Sequence, residues 1–173
     1  MAVFGSDILT ISQHNLRRAA IGSLGASRSK GYGQKSAFLC HSHKDRDLAL
    51  GLAVLMKNAG VDLYIDWLDE SMPARPSRTT AEQLKLRIFA ADWFLFLATE
   101  NSTASRWCPW ELGYADGKKA LSRIAVVPTS NSTGTTFGSE YLDLYRRIDV
   151  SAVGELIAVE PSQSYGTPVR QVF

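Results

Sequence analysis

Trp93-Phe94-Leu95-Phe96-Leu97 is a short, unbroken apolar run. It carries no polar alternation, so a strand built from it must be covered on both faces, as in the middle of a parallel sheet. Working outward, Leu84, Ile88 and Ala91 recur at helical spacing before it, in a helix started by Thr79 or Thr80. Upstream, Ala37-Phe38-Leu39-Cys40 reads as a first strand. A helix follows, capped by Asp45 or Asp47, carrying Leu48, Leu52, Leu55 and Met56 and stopped at Asn58-Ala59-Gly60. Val61-Asp62-Leu63-Tyr64-Ile65-Asp66 then reads as a second strand. Residues 71–78, with Pro73 and Pro76, read as a long loop. Downstream, a polar loop over 99–105 leads to a third helix. That helix begins near Ser105, because Pro109 is tolerated only in a first turn, and runs to about Leu121. Ile124-Ala125-Val126-Val127 is the fourth strand, closed by Pro128, followed by a loop over 129–138 and a helical or turn-like 137–145. Leu156-Ile157-Ala158-Val159 is expected as strand five. Strand and helix alternating in this way predict an α/β fold, with a central parallel sheet of about five strands flanked by helices.

The expected organisation is an N-terminal arm over 1–35, helical or mobile, one domain over 36–160, and a loosely held tail over 161–173. The arm is rich in Gly and Ser and has Asp7 as its sole acid. Arg17 and Arg18 there also fit a transit peptide, but a weak amphipathic helix is the commoner explanation. The 173 residues carry 19 basic and 17 acidic side chains, a net charge of +2, so no global charge favours nucleic acid. No apolar stretch approaches the ~20 residues that span a bilayer. Cys40 and Cys108 lack zinc or disulfide-framework spacing, which suits a reducing, cytoplasmic setting. Asn101-Ser102-Thr103 and Asn131-Ser132-Thr133 match a glycosylation sequon but, without a secretory signal, indicate only exposed loops.

Ligands of an open parallel sheet sit beyond the carboxyl ends of its strands. Here those ends supply His41-Ser42-His43, Asp66-Trp67 and Thr99-Glu100, and the third helix opens with Trp107-Cys108-Pro109-Trp110-Glu111. No Gly-rich turn follows strand one, since Gly31-Tyr32-Gly33 precedes it, so neither a dinucleotide fingerprint nor a P-loop is present. A phosphoacceptor domain would need acids where His41 and Thr99 stand. A zinc site on His41 and His43 lacks further ligands, and Cys108 as a nucleophile lacks a base beyond histidines of another loop. Trp107 and Glu111 are four apart and share a helix face, with Tyr114 and Ala115 one turn on. A carboxylate beside an indole suits a ribosyl cation and its hydroxyls. From spacing alone, the commoner reading is two core tryptophans and a glutamate favoured by the helix dipole.

Three boxes resemble the Toll/interleukin-1 receptor (TIR) domain in its bacterial form. Phe38-Leu39-Cys40-His41-Ser42-His43-Lys44-Asp45 is similar to the family's first box, with Cys40 where serine is usual. Gly60-Val61-Asp62-Leu63-Tyr64-Ile65-Asp66-Trp67 resembles its second strand leading into the BB loop, here residues 68–78. Ser105-Arg106-Trp107-Cys108-Pro109-Trp110-Glu111-Leu112-Gly113 resembles the S-x-W-x-x-x-E-L motif of members that cleave NAD. The resemblance covers about 36–127 well and the rest of the sheet loosely.

It implies a flavodoxin-like domain in which Glu111 is the catalytic glutamate of NAD cleavage, accompanied by Trp107. His41, Ser42 and His43 would line the nicotinamide-ribose side, with Tyr64, Asp66 and Trp67 at the cleft mouth. Many active members carry an arginine or another bulky residue where this chain has Ser42. NAD would be the substrate, and neither cofactor nor metal is needed. The resemblance further implies self-association through TIR-TIR contacts and membership of the Thoeris-like anti-phage proteins. There, ADP-ribose or a cyclic isomer activates a separate effector protein, and the chain is expected to be the standalone signal-making subunit. The competing class is a non-enzymatic adaptor using the same fold as an interaction surface. A bacterial mimic of host TIR signalling and a nucleoside deoxyribosyltransferase fit less well.

Overall fold

The computed structural model describes residues 8–22, 35–68 and 76–173. The strands are β1 (Ile8–Leu9), β2 (Ile11–Ser12), β3 (Lys35–Cys40), β4 (Val61–Tyr64), β5 (Trp93–Ala98), β6 (Ile124–Ser130), β7 (Thr136–Phe137), β8 (Arg146–Ser151), β9 (Leu156–Val159) and β10 (Gly166–Pro168). The α-helices are α1 (Gln13–Gly22), α2 (Arg46–Asn58), α3 (Arg78–Ala90), α4 (Glu100–Ala104), α5 (Trp107–Lys118) and α6 (Val169–Val172). The main sheet runs β10-β9-β8-β6-β5-β3-β4, with β8, β6, β5, β3 and β4 parallel. Counted along the chain, those five parallel strands lie in the order 5-4-3-1-2, the flavodoxin-like arrangement that the family resemblance implies.

β5 occupies the centre because its six side chains are all buried and alternate between two cores. Trp93, Leu95 and Leu97 point to the face covered by α2 with Leu48, Leu52 and Met56. Phe94, Phe96 and Ala98 point to the face covered by α3 and α5 with Leu84, Ile88, Leu112 and Ala115. α2 ends as expected: Gly60 has φ +89°, a left-handed conformation that costs glycine nothing.

Several elements differ from expectation. The polar loop over 99–105 contains α4, because Thr99 and Ser102 form a reciprocal capping box. α5 starts at Trp107 and stops at Lys118, shorter than expected. The strand closed by Pro128 runs on to Ser130, and the loop after it holds β7. The fifth parallel strand is β8, and Leu156–Val159 lies antiparallel beside it. In Arg146-Arg147-Ile148-Asp149-Val150-Ser151 the charged residues alternate with apolar ones, which hides the strand from a search for continuous apolar runs.

The described residues before β3 and after β9 pack on the sheet. β1 pairs with β8 and β2 with β6. α1 lies against α2, with Leu16 fully buried and Arg17 bridging to Asp47 at 2.6 Å. Gly51 on α2 permits that approach, because a Cβ there would stand 1.9 Å from the Leu16 carbonyl oxygen. The expected boundary between residues 35 and 36 is therefore crossed by these contacts. The tail is held too: β10 pairs with β9, Val169 is buried, and Phe173 stacks on Trp93 with ring centroids 3.8 Å apart. The glycine-rich stretch over 23–34 and the loop core over 69–75 lie outside the described residues.

Candidate active site

The strand order reverses between β3 and β5, which opens a crevice at their carboxyl ends. Glu111 sits there, in the second turn of α5. The helix is aimed by Ser105, whose hydroxyl accepts from the amides of Trp107 at 3.1 Å and Cys108 at 3.3 Å. Cys108, Glu111, Leu112 and Ala115 form the inward face. Glu111 is only 6% exposed. Burial pushes its carboxyl well above the usual glutamate range, and the neighbouring Cys108 adds to the rise, while a hydrogen bond from the Cys40 thiol opposes it. Cys40 closes β3 and lies 3.6 Å from the Cys108 carbonyl. Burial above all raises its own thiol pKa. The Cys108 thiol is lowered by its hydrogen bond with Cys40, which outweighs burial, with help from Ser105.

Trp107 is half-buried and meets Trp110 edge-on, with centroids 5.4 Å apart; Trp110 in turn stacks on Tyr114. Trp110 is 36% exposed and Trp107 only half-buried, so neither is the core aromatic that the plainer reading expects.

The loops after β3 and β4 form one network. His41, with 1% of its side chain exposed, holds its Nδ1 3.1 Å from the Leu39 carbonyl. A carbonyl only accepts, so Nδ1 carries the proton and Nε2 is the acceptor. The indole N–H of Trp67 donates to that Nε2 at 2.9 Å. Asp66 accepts from the Trp67 amide at 2.8 Å, stands 3.8 Å from His41 Nε2, and lies 3.4 Å from His43 Nε2. Burial lowers the His41 pKa against the pull of Asp66. A hydrogen bond to Asp66 raises that of His43. Burial works to raise Asp66, but the two histidines overcome it and leave the carboxyl lowered. With both ring nitrogens of His41 engaged, it is not placed as a metal ligand. Among the described residues no three His, Cys, Asp or Glu side chains gather as a metal ion requires.

The remaining sequence candidates divide. Ser42 spends its hydroxyl capping a short turn, accepting from the Lys44 amide at 3.3 Å. Tyr64 lies beside Phe38 in the sheet register, stacked on it at 5.5 Å and beneath the Arg87 guanidinium. Its ring packs against the apolar face beneath α3 and α5.

Sequence reasoning gave Asp45 only a capping role. It makes no capping hydrogen bond. It is buried, and accepts from the Thr99 hydroxyl at 2.5 Å and the Asn101 amide at 2.7 Å. This ties the loop after β3 to the start of α4 across the crevice, and only the carboxylate's place in the first box could have signalled it.

A family model for the TIR domain matches residues 37–157, from within β3 to within β9, and takes in every residue of this crevice. The chain belongs to the TIR domain family. Among curated relatives, this TIR chain is 38% identical over 110 residues to the "Probable 3' cyclic ADP-D-ribose synthase ThsB'" of Bacillus cereus (strain MSX-D12), covering 62% of this chain and 57% of that protein. It is 30% identical over 81 residues to the "Putative cyclic ADP-D-ribose synthase TIR2" of Cytobacillus dafuensis, covering 45% of this chain and 21% of that protein. The matched stretch thus spans little more than half of the first relative's length and about a fifth of the second's. No helix among the described residues is long and apolar enough to cross a membrane.

Proposed function

We propose that this TIR chain cleaves NAD at the bond between nicotinamide and ribose. The observation that carries the reading is Glu111, a buried carboxyl at the switch-point crevice of a family member whose relatives are named as cyclic ADP-ribose synthases. Cleavage of that bond passes through an oxocarbenium-like state, and a carboxylate in a water-poor crevice stabilises the developing charge far better than one in water. Glu111 would hold the ribose hydroxyls and face that charge. Trp107 would flank the sugar, and His41, His43, Asp66 and Trp67 would form the opposite wall. Ser42 and Tyr64 would contribute through the shape of that wall. The acceptor is water, giving ADP-ribose, or an adenosine atom of the same substrate, giving a cyclic isomer. The product would serve as an immune signal for a separate effector in anti-phage defence, made in the cytoplasm by chains associated through TIR-TIR contacts.

The test is incubation of purified wild type and Glu111→Ala with NAD at low and high protein concentration, with products resolved by chromatography and mass. Nicotinamide release by wild type is expected, with a loss of about 10²-fold or more in the variant. The rate should rise with pH through a midpoint above the ordinary glutamate range, because Glu111 must be ionised and its burial resists ionisation. No turnover by wild type at either concentration would favour the adaptor reading.

A further inference from the structure

Glu111 is held by more than its own helix. α5 begins where α4 ends: the Ser105 amide donates to the Ser102 carbonyl at 3.2 Å, and the Ser105 hydroxyl accepts from the amides of Trp107 and Cys108. Whatever fixes α4 therefore fixes the first turn of α5, and Glu111 stands one turn on. α4 has five residues, too few to persist on helix propensity alone. Thr99 and Ser102, both buried, close its first turn.

The loop after β3 anchors that turn. Asp45 is 4% exposed and spends both carboxylate oxygens on it: Oδ2 accepts from the Thr99 hydroxyl at 2.5 Å, and Oδ1 accepts from the Asn101 amide at 2.7 Å. The first bond also fixes the Thr99 hydroxyl proton, which leaves the oxygen's lone pairs to accept from the Ser102 amide at 3.0 Å. Hydrogen bonds to a carboxylate are about twice as strong as neutral ones, and these two close gaps of 54 and 56 residues in the chain. β3 reaches the same segment again through the Cys40 thiol, 3.6 Å from the Cys108 carbonyl. The segment that carries Glu111 is thus gripped from β3 at two points, α4 and the start of α5.

We propose that Asp45 is a positioning residue for the NAD cleavage proposed above: through Thr99, Asn101 and Ser105 it sets where the Glu111 carboxyl stands in the crevice. It does not touch NAD, because its oxygens are buried and engaged by α4. Without the tie, Thr99 and Asn101 lose their common acceptor, α4 and the start of α5 shift, and Glu111 moves away from the reacting ribose. A misplacement of about 1 Å in such a group costs about 10²-fold in rate. Substrate binding rests on the opposite wall as well and changes less. The proposal takes from that cleavage reading the role of Glu111, whereas the placement of α5 is measurable without it.

The test compares full-length wild type, Asp45→Ala, Asn101→Asp and the double variant Asp45→Asn/Asn101→Asp. Asp45→Ala removes the acceptor, and Asn101→Asp sets two carboxylates against each other. The double variant rebuilds the tie with its charge on the other side: a carboxamide at position 45 accepts from Thr99 and donates to the carboxylate at position 101. NAD cleavage is measured per folded molecule, with the folded fraction taken from urea titration. Amide exchange at Cys108 and Glu111 is followed by NMR against Leu84 and Ile88 of α3, which pack on the same face of the sheet. Both single changes are expected to lower kcat at least about tenfold with KM within about threefold, and to speed exchange in α5 relative to α3. The double variant should recover most of both. The proposal is overturned if kcat per folded molecule is unchanged while stability falls, which would leave Asp45 a purely structural residue. It is equally overturned if the loss lies in KM, or if the double variant recovers nothing. Asn101 is only half-buried, so Asn101→Asp and its rescue decide even where Asp45→Ala does not fold. If wild type releases no nicotinamide, the cleavage reading fails by itself and exchange decides the placement: unchanged exchange in α5 overturns it.

Discussion

Replacing Trp67 by Phe removes the indole N–H, along with one ring of a side chain that packs at the edge of the core. In the wild type that N–H donates to Nε2 of His41, whose Nδ1 is committed to the Leu39 carbonyl. The variant leaves Nε2 as an unpaired acceptor on a side chain that is 1% exposed. A buried acceptor without a donor costs about 1–3 kcal/mol, and the weaker stacking of Arg46 on a phenyl ring adds a few tenths. For a chain of this length, about 2 kcal/mol corresponds to a fall in Tm of roughly 4–8 °C. The pH dependence identifies the cause. The charged groups facing His41 are Asp66, Asp45 and His43, and burial holds its folded pKa below the unfolded value of 6.5. Stability from this group is therefore complete above pH 6.5 and is lost as pH falls below it. In Trp67→Phe the freed Nε2 can take a proton opposite Asp66, so the pKa rises and that loss shrinks. The stability gap between the two proteins should be widest near pH 7.5 and narrow towards pH 5. His43 has a raised pKa and opposes His41 over the same window, but it is common to both proteins and cancels in the difference. Urea titrations across that range, with an NMR titration of the His41 ring, provide the measurement. An unchanged His41 pKa in the variant, or a wild-type ring protonated at Nε2 and not at Nδ1, would refute the reasoning.

Two further substitutions probe the frame and the crevice. Gly51→Ala should destabilise the protein by about 1–3 kcal/mol, because its Cβ would collide with the Leu16 backbone. The control Gly117→Ala, on an open helix face of α5, should be neutral or gain up to ~1 kcal/mol in the same urea titration. A stabilised Gly51→Ala would show that α1 does not pack there. Cys40→Ser replaces a weak thiol donor, placed between the Cys108 carbonyl and Glu111, by a hydroxyl that donates more strongly when turned to the carboxylate. The glutamate pKa should fall, and the rise of NAD cleavage with pH should move to lower pH; an unmoved profile would show that Cys40 does not govern Glu111.

What the sequence disclosed about the fold follows from how each strand is covered. β3, β5 and β6 are buried on both faces and announce themselves as apolar runs. β8 carries Arg147 and Asp149 on one face and Ile148 and Val150 on the other, so only alternation marks it, and alternation over six residues with two adjacent arginines reads as a loop. β1, β2 and β10 are two or three residues long and exist only because neighbouring strands offer free edges. Their formation is a tertiary effect with no local signature.

The site divides along the same line. The spacing of four put Glu111 and Trp107 on one helix face, but only the resemblance of the box over 105–113 singled them out as candidates. The partners that set their surroundings lie far off in sequence. Trp67 is 26 residues from His41, and Thr99 is 54 from Asp45. No periodicity links such pairs, yet each fixes a loop bordering the crevice: the first sets which His41 nitrogen bears the proton, and the second ties the loop after β3 to the helix after β5. Chemistry placed on one helix is visible in a motif, whereas the polar ties that hold the opposite wall require the folded chain. The contacts of Ser42 and Tyr64 were equally hidden, since a turn amide and an aromatic stack engage their side chains in the folded chain.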